Sequence, residues 1–396
     1  MATVESISSQ NSHGPFWANP RVRAIAYQIG LFLLVTALVG YIAHNTAVNL
    51  QKRGIASGFG FLDQTAGFDI LMTLIPYKIG DTHFRVFIIG ILNTLFVSAI
   101  GIVLATLLGF VVGICRLSRN WIIRNMAYLY VESIRNVPLL LQMFFWYKGV
   151  FLLLPLVRDA IPLGAGIFIS QRGLYMPSPI PEKGFSAIPI AFGIAIVLTF
   201  AIHRWARKRQ EKTGQPFPSL WMGLTLIIGA PLLAALVTGL PFHWEFPVLQ
   251  GFNFQGGIVI LPEMAALEVA LVTYTAAFIS EIVRSGIQAI SHGQTEAAYA
   301  LGLNPNPTLR LVIIPQALRV IVPPLTSQYL NLTKNSSLAV AIGFPDLFQV
   351  FAGTSLNITG QAVEIMFMTM MVYLAISMVI ALFMNWYNRR IALVER

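Results

Sequence analysis

Two stretches of this 396-residue sequence hold most of its chemically distinctive side chains. The first reads Glu296-Ala297-Ala298, three residues, Gly302, nine residues, Val312, one residue, then Ile314-Pro315. Gln294 to Leu301 favours a short helix whose small residues permit close packing. Gly302 suits a left-handed stop, and Asn304-Pro305-Asn306-Pro307 forbids continuation. A short, capped helix of this kind is a shape for docking into a partner's groove. Glu-Ala-Ala alone is common in helices, so it is the complete spacing that carries this reading. The second stretch, Leu325 to Ser337, has nine polar residues in thirteen. Within it Ser327, Asn331, Lys334 and Asn335 follow i, i+4, i+7, i+8 spacing and share one helical face.

That face has to avoid lipid, because unsatisfied polar groups in hydrocarbon cost several kcal/mol each. It is expected to line a translocation path or a contact with another subunit. Glu268 and Thr275, seven apart, share a face of the preceding apolar stretch. Charges within a bilayer cost at least ~2.5 to 3.5 kcal/mol, which marks Glu268, Lys334 and Glu364 as functional candidates. Glu268 could receive the ammonium and Lys334 the carboxylate of an amino-acid zwitterion. Equally, Lys334 could neutralise an acidic residue or reach the outer interface. Glu281 and Arg284, three apart, read as an ordinary surface pair.

No catalytic, metal or cofactor site is expected. Cys115 is the single cysteine, which excludes an internal disulfide framework and a thiolate zinc site, and no two of the six histidines have helical ligand spacing. There is no G-x-x-x-x-G-K-[ST] phosphate loop; Lys212-Thr213 lacks the preceding glycines.

The elements that must position these residues are transmembrane. With 56% hydrophobic and 11% charged residues and a mean hydropathy of +0.71, the chain belongs in a bilayer. A span needs about 20 mainly apolar residues. Eight such stretches run over 24–43, 86–114, 137–157, 187–203, 219–240, 258–283, 320–342 and 362–386. Pro262 and Pro323-Pro324 are expected to end or kink their helices, and Gly90, Gly101, Gly109 and Gly113 to mark close helix packing. The net charge of +10 has no dense basic tract, so it implies membrane orientation and no nucleic acid. Placing the N-terminus in the cytoplasm puts 17 Lys and Arg inside. The outer loops hold seven: Lys52, Arg53, Lys78, Arg85, Arg158, Arg172 and Lys183. Both termini are therefore expected on the cytoplasmic side.

The spaced pattern within 284–319 resembles the EAA loop of binding-protein-dependent ABC importers, with Val312 and Ile314 in place of the usual Ile and Leu. Gly90-Ile91-Leu92-Asn93-Thr94-Leu95, Tyr130 to Leu139, Tyr274 to Glu281 and Lys334-Asn335-Ser336-Ser337-Leu338 narrow the resemblance to the polar, histidine/glutamine-type amino-acid permeases. Together the matching segments cover 86–157 and 262–390. The longer layout is similar to the Q-type subunit of the general L-amino acid transport systems.

This resemblance implies an all-α integral membrane protein: a five-helix permease core, an extra N-terminal helix and an inserted two-helix hairpin. The corresponding divisions are a cytoplasmic tail (1–23), the first span with its outer loop (24–85), the first part of the core (86–157), the inserted loop and hairpin (158–257) and the remaining core (258–390). It also implies that Glu296, Ala297, Ala298, Gly302 and Pro315 couple the chain to a separate ATPase present in two copies. A second homologous permease and a periplasmic amino-acid-binding protein complete the expected assembly in a bacterial inner membrane. The chain itself would be a transport subunit and not an enzyme. The competing reading is an ion-coupled secondary carrier, with Glu268 or Glu364 binding the driving ion.

Overall fold

A computed structural model describes residues 20–52, 54, 57–215 and 217–391. Most of the 1–23 tail, Arg53 and the last five residues lie outside the described residues.

The chain divides into two compact units. The first comprises residues up to Ile91 together with Leu347–Ala375. Helix α1 (Pro20–Lys52) exposes its apolar side chains, Leu31, Phe32 and Leu34 among them. The segment after it, expected only as an outer loop, is folded. Phe61, Ala66 and Ile70 are buried against Val86, Ile89, Leu347, Val350 and Phe351, with Phe61 and Phe351 stacked at 6.1 Å. Its backbone closes on itself through Ala66 N–H to Asp81 O and His83 N–H to Gln64 O. The Tyr77 hydroxyl donates to Phe68 O at 2.6 Å, and burial, with Asp81 and Asp69 adding their charge, pushes its pKa up. At the start of the last helix, Glu364 accepts a hydrogen bond from the Gly58 N–H. Glu364 thus ties down this segment, which gives its intramembrane charge a structural explanation.

The second unit, Leu92–Asp346 and Ile376–Arg396, contains the permease-like elements. Helix α2 (His83–Cys115), whose stretch from Val86 to Ile114 carries no charge, begins in the first unit and continues here. Asn120 caps α3 (Trp121–Arg135) by accepting from Ile122 N–H and Ile123 N–H. Pro138 separates α3 from α4 (Leu139–Leu153), and the pair is bent by 103°. The expected third span at 137–157 is therefore only the second arm of a broken element. Among the described residues seven helices are long and apolar enough to cross a membrane, and eight spans result only if this bent pair counts as one.

The inserted region brings an unexpected sheet. Strands β1 (Ile161–Gly164), β2 (Ile167–Ser170) and β3 (Gly173–Met176) form an antiparallel meander, and β4 (Ser178–Pro181) follows. Helices α5 (Ala187–Thr213) and α6 (Ser219–Val237) make the expected hairpin, packed closely where Gly223 meets Thr199. Strand β5 (Phe242–Glu245) pairs with β4, while β6 (Val248–Gln250) pairs with β7 (Asn253–Gln255). Strand β8 (Ile258–Ile260) closes the sheet beside β3. Residues 258–260, expected as the start of a span, are thus strand. Pro262 does not end a helix but occupies the first turn of α7 (Pro262–Gln288), where its missing N–H costs nothing.

Helix α8 (His292–Ala300) is followed by α9 (Pro305–Ile342), which starts 15 residues before the expected seventh span. Asn304 occupies the N-cap and Pro305 the first turn, so the prolines that stop one helix begin the next. Pro323 and Pro324 lie inside α9 without ending it. Helix α10 (Ala362–Ile391) completes the chain.

Helix α7 is the centre of the second unit. Its small residues Ala266, Ala270, Ala276, Ala277 and Ser280 are buried, so the backbones of its neighbours come close. A Cβ on Gly109 would meet Ile279 at 2.6 Å, and one on Gly113 would meet Val283 at 2.7 Å. Gly101 faces Leu332 and Glu268, and Gly286 faces Ile321 of α9. Overpacking of this kind costs about 1–3 kcal/mol. Gly109→Ala is accordingly expected to lower the melting temperature of the purified chain in detergent. Gly193→Ala in α5, where a Cβ meets nothing within 4 Å, should leave it unchanged or raise it. Equal behaviour of the two would contradict this packing.

Candidate functional site

Helix α8 stands between α7 and α9, and its end follows from hydrogen bonding. Gly302 N–H donates to Tyr299 O and Leu303 N–H to Ala298 O, with Gly302 at φ +77°. This is the Schellman arrangement, in which the left-handed residue lets two late carbonyls find donors. Ala298 is buried and holds the helix to the body. Glu296 and Ala297 are exposed, as are Tyr299 and Leu301, the last at 82%. On the other side Gln316 Nε2 donates to Gln294 Oε1 at 3.1 Å, joining α8 to α9 one residue beyond the half-buried Pro315. The spaced residues thus produce a short ledge with an outward face, fixed at its base to a long helix.

The six residues proposed to line a path do not form one cluster. Glu268 and Thr275 are buried on α7, at 9% and 3% exposure. Both carboxylate oxygens of Glu268 lack a hydrogen-bond partner, and Gly101 of α2 lies against them. Glu268 also lines a cavity of about 430 Å³ whose other walls are mostly apolar, including Ile100, Phe151, Leu174, Ile260 and Met264. On α9 the expected common face exists, but it points away from α7. Ser327, Asn331 and Lys334 are exposed and Asn335 is half-buried, while Leu325 and Leu332 face the core. No ion pair joins Glu268 to Lys334 among the described residues. One zwitterion held between the two therefore has no support in this geometry.

The ionic centre that does form was only half visible in the sequence. Glu281 is not merely the surface partner of Arg284. Its carboxylate also binds the Arg116 guanidinium, which is 7% exposed, and lies 3.9 Å from Arg135. Arg116 follows the end of α2 and Arg135 ends α3, so one carboxylate of α7 gathers the ends of two other helices. Arg135 also stacks 5.0 Å over the Phe278 ring. Further along α7, the Tyr130 hydroxyl donates to Thr273 O at 2.7 Å, and Tyr147 donates to Glu263 at 2.8 Å, so α3 and α4 are both pinned to α7 by polar contacts. Separations of 146 and 165 residues hide the Arg135 and Arg116 pairings from any reading of local spacing. Among the described residues no group of three or more His, Cys, Asp or Glu is placed to hold a metal ion.

Comparison with known proteins adds one family match and three relatives. The family model described as the binding-protein-dependent transport system inner membrane component matches residues 101–393. The chain is 56% identical to a putative amino-acid ABC transporter permease protein, YhdX, of Escherichia coli (strain K12), over 96% of this chain and 97% of that one. It is 50% identical over the full length of both chains to the general L-amino acid transport system permease protein AapQ of Rhizobium johnstonii. A glutamate/glutamine/aspartate/asparagine transport system permease protein, BztB of Rhodobacter capsulatus, is 43% identical over 95% of each chain.

The buried arginine cluster makes an asymmetric prediction. Glu281→Gln leaves Arg116 buried without a counter-charge, which costs roughly 3 kcal/mol. Arg116→Gln leaves Glu281 with Arg284 and Arg135 and should cost less. Thermal unfolding of the two purified variants, followed by tryptophan fluorescence, measures the difference; the reverse order would exclude this account.

Proposed function

The chain belongs to the family of binding-protein-dependent transport system inner membrane components, and from that membership we propose that it is a permease subunit of an ATP-driven importer of L-amino acids. The observation that carries this reading is the α8 ledge. An exposed, capped helix between two membrane-length helices supplies a contact that a soluble ATPase can push or pull without entering the bilayer. Glu296, Ala297, Ala298 and Gly302 form that ledge, and Pro315 stands where α9 takes up its load. Two ATPase copies, a second homologous permease and a periplasmic amino-acid-binding protein complete the proposed assembly. The distribution of basic residues supports a bacterial inner-membrane location with both termini in the cytoplasm. Full-length similarity to YhdX, AapQ and BztB supports amino acids as the cargo.

The substrate path is proposed in two parts. The exposed polar face of α9, with Ser327, Asn331, Lys334 and Asn335, would face the second permease across the path. Its exposure in the isolated chain fits that role, because a polar face of this size is costly against lipid. Glu268, with Thr275 on the same helix, supplies a separate carboxyl whose two oxygens are free to accept from an ammonium group.

Uptake by the complete system reconstituted in vesicles tests the reading. Uptake should require ATP, be inhibited by vanadate and collapse in Gly302→Val, since a left-handed residue with a side chain costs about 1–2 kcal/mol and disturbs the end of the ledge. Glu296→Arg should uncouple ATP hydrolysis from uptake. Abolition of uptake by a protonophore with ATP intact would favour the ion-coupled carrier instead. For the path, Lys334→Met and Glu268→Gln are each expected to lower uptake at least tenfold or weaken the apparent affinity. Unchanged transport in both would remove these residues from the path.

A further inference from the structure

A second pocket in the same unit lies at the basic end of the bundle, apart from both the ledge and Glu268. Arg116, Arg124, Asn125, Tyr128 and Arg284 surround a cavity of about 300 Å³, which reaches the lower end of the range for small-molecule sites. Its wall carries three guanidiniums, a side-chain amide and a phenol and no carboxylate. The acidic group behind it, Glu281, is shared by Arg116, Arg284 and Arg135. One negative charge thus serves three positive ones, and Arg124 adds another at the wall. The Nε atom of Arg284 is buried with no hydrogen-bond partner, although its other nitrogens reach Glu281 and Gln288. Glu132, the one carboxylate of α3, is turned toward Asn136.

We propose that this pocket is an oxyanion site that takes a phosphate group, held in the fork of Arg116, Arg124 and Arg284 with Asn125 and Tyr128 as flanking donors. Guanidiniums match phosphate oxygens in pairs, and such charge-assisted hydrogen bonds are about twice as strong as neutral ones. Glu281 has the role of a positioning residue: it fixes Arg116 and Arg284 at the pocket wall before the ligand arrives. Helices α2 and α7 end here, so the ligand comes from the membrane face on which they end. Two sources share the chemistry: the headgroup of an anionic phospholipid and a free phosphate. The site does not depend on what the chain transports.

Calorimetric titration of the full-length chain in neutral detergent tests it with three probes: inorganic phosphate, dihexanoyl-phosphatidylglycerol and dihexanoyl-phosphatidylcholine. One anionic probe is expected to saturate a single site and to weaken as salt is raised. Arg124 is exposed and outside the ion pairs, so Arg124→Gln should fold normally while weakening that probe about fivefold, the effect of one basic residue near an anionic surface. Arg124→Lys should retain most of the binding, and Arg207→Gln, on α5, all of it. Tighter binding of phosphatidylglycerol than of phosphate and phosphatidylcholine assigns the site to lipid; equal binding of phosphate and phosphatidylglycerol assigns it to the soluble anion. Saturation by neither anionic probe, or full binding by Arg124→Gln, overturns the proposal.

Discussion

The helical core of the second unit depends on how closely other helices approach α7. Between apolar helices in lipid there is little hydrophobic gain from association, so contact must come from close packing and a few polar bonds. Ala276, Ala277 and Ser280 leave room for Gly109 and Gly113 of α2, and Gly286 admits Ile321 of α9. The polar bonds then fix rotation: Tyr130 to Thr273, Tyr147 to Glu263, and Arg116 with Arg135 on Glu281. Because these contacts occupy most of the α7 circumference, the helix has little surface left for lipid. Glu268 is buried there without a hydrogen-bond partner, against a mostly apolar cavity.

The membrane character and most helices were legible because hydropathy is a bulk property that survives errors in boundaries. The residues that defeated the sequence reading were punctuation. Pro262 opens α7 instead of ending a helix, and Pro305, past the stop at Gly302, opens the next one, since a first-turn proline gives up an N–H that has no intrahelical acceptor. Residues 115–136 lie between two expected spans, yet the apolar positions between their arginines form α3, capped by Asn120. The sheet was invisible for another reason. Its strands are three or four residues long, too short for an alternating pattern to stand out from the apolar helices beside it.

The site was legible unevenly. Gly302 and its flanking residues announced their geometry because a helix stop is a local event, decided within five or six positions. The four polar residues of α9 share one face, since α9 is helical throughout 314–335 and periodicity alone sets that. What periodicity cannot say is which way a face points, and Ser327 and Lys334 turned out to face away from Glu268. The partners of Glu281 lie more than a hundred positions away, beyond any pattern readable from one sequence.

Helix α9 also sets the mechanics. The Gln294–Gln316 bond attaches the ledge near one end of a helix that runs unbroken to Ile342. At about 1.5 Å per residue, Lys334 stands roughly 27 Å further along the same rod than Gln316. A tilt imposed on the ledge is therefore delivered to the polar face as a sideways displacement several times its own size, with no intervening loop to absorb it. The wider turns at Leu309–Ile313 and the pair Pro323-Pro324 are the places where such a lever would yield. Their stiffness, more than any single contact, then governs how much of a push at one end arrives at the other.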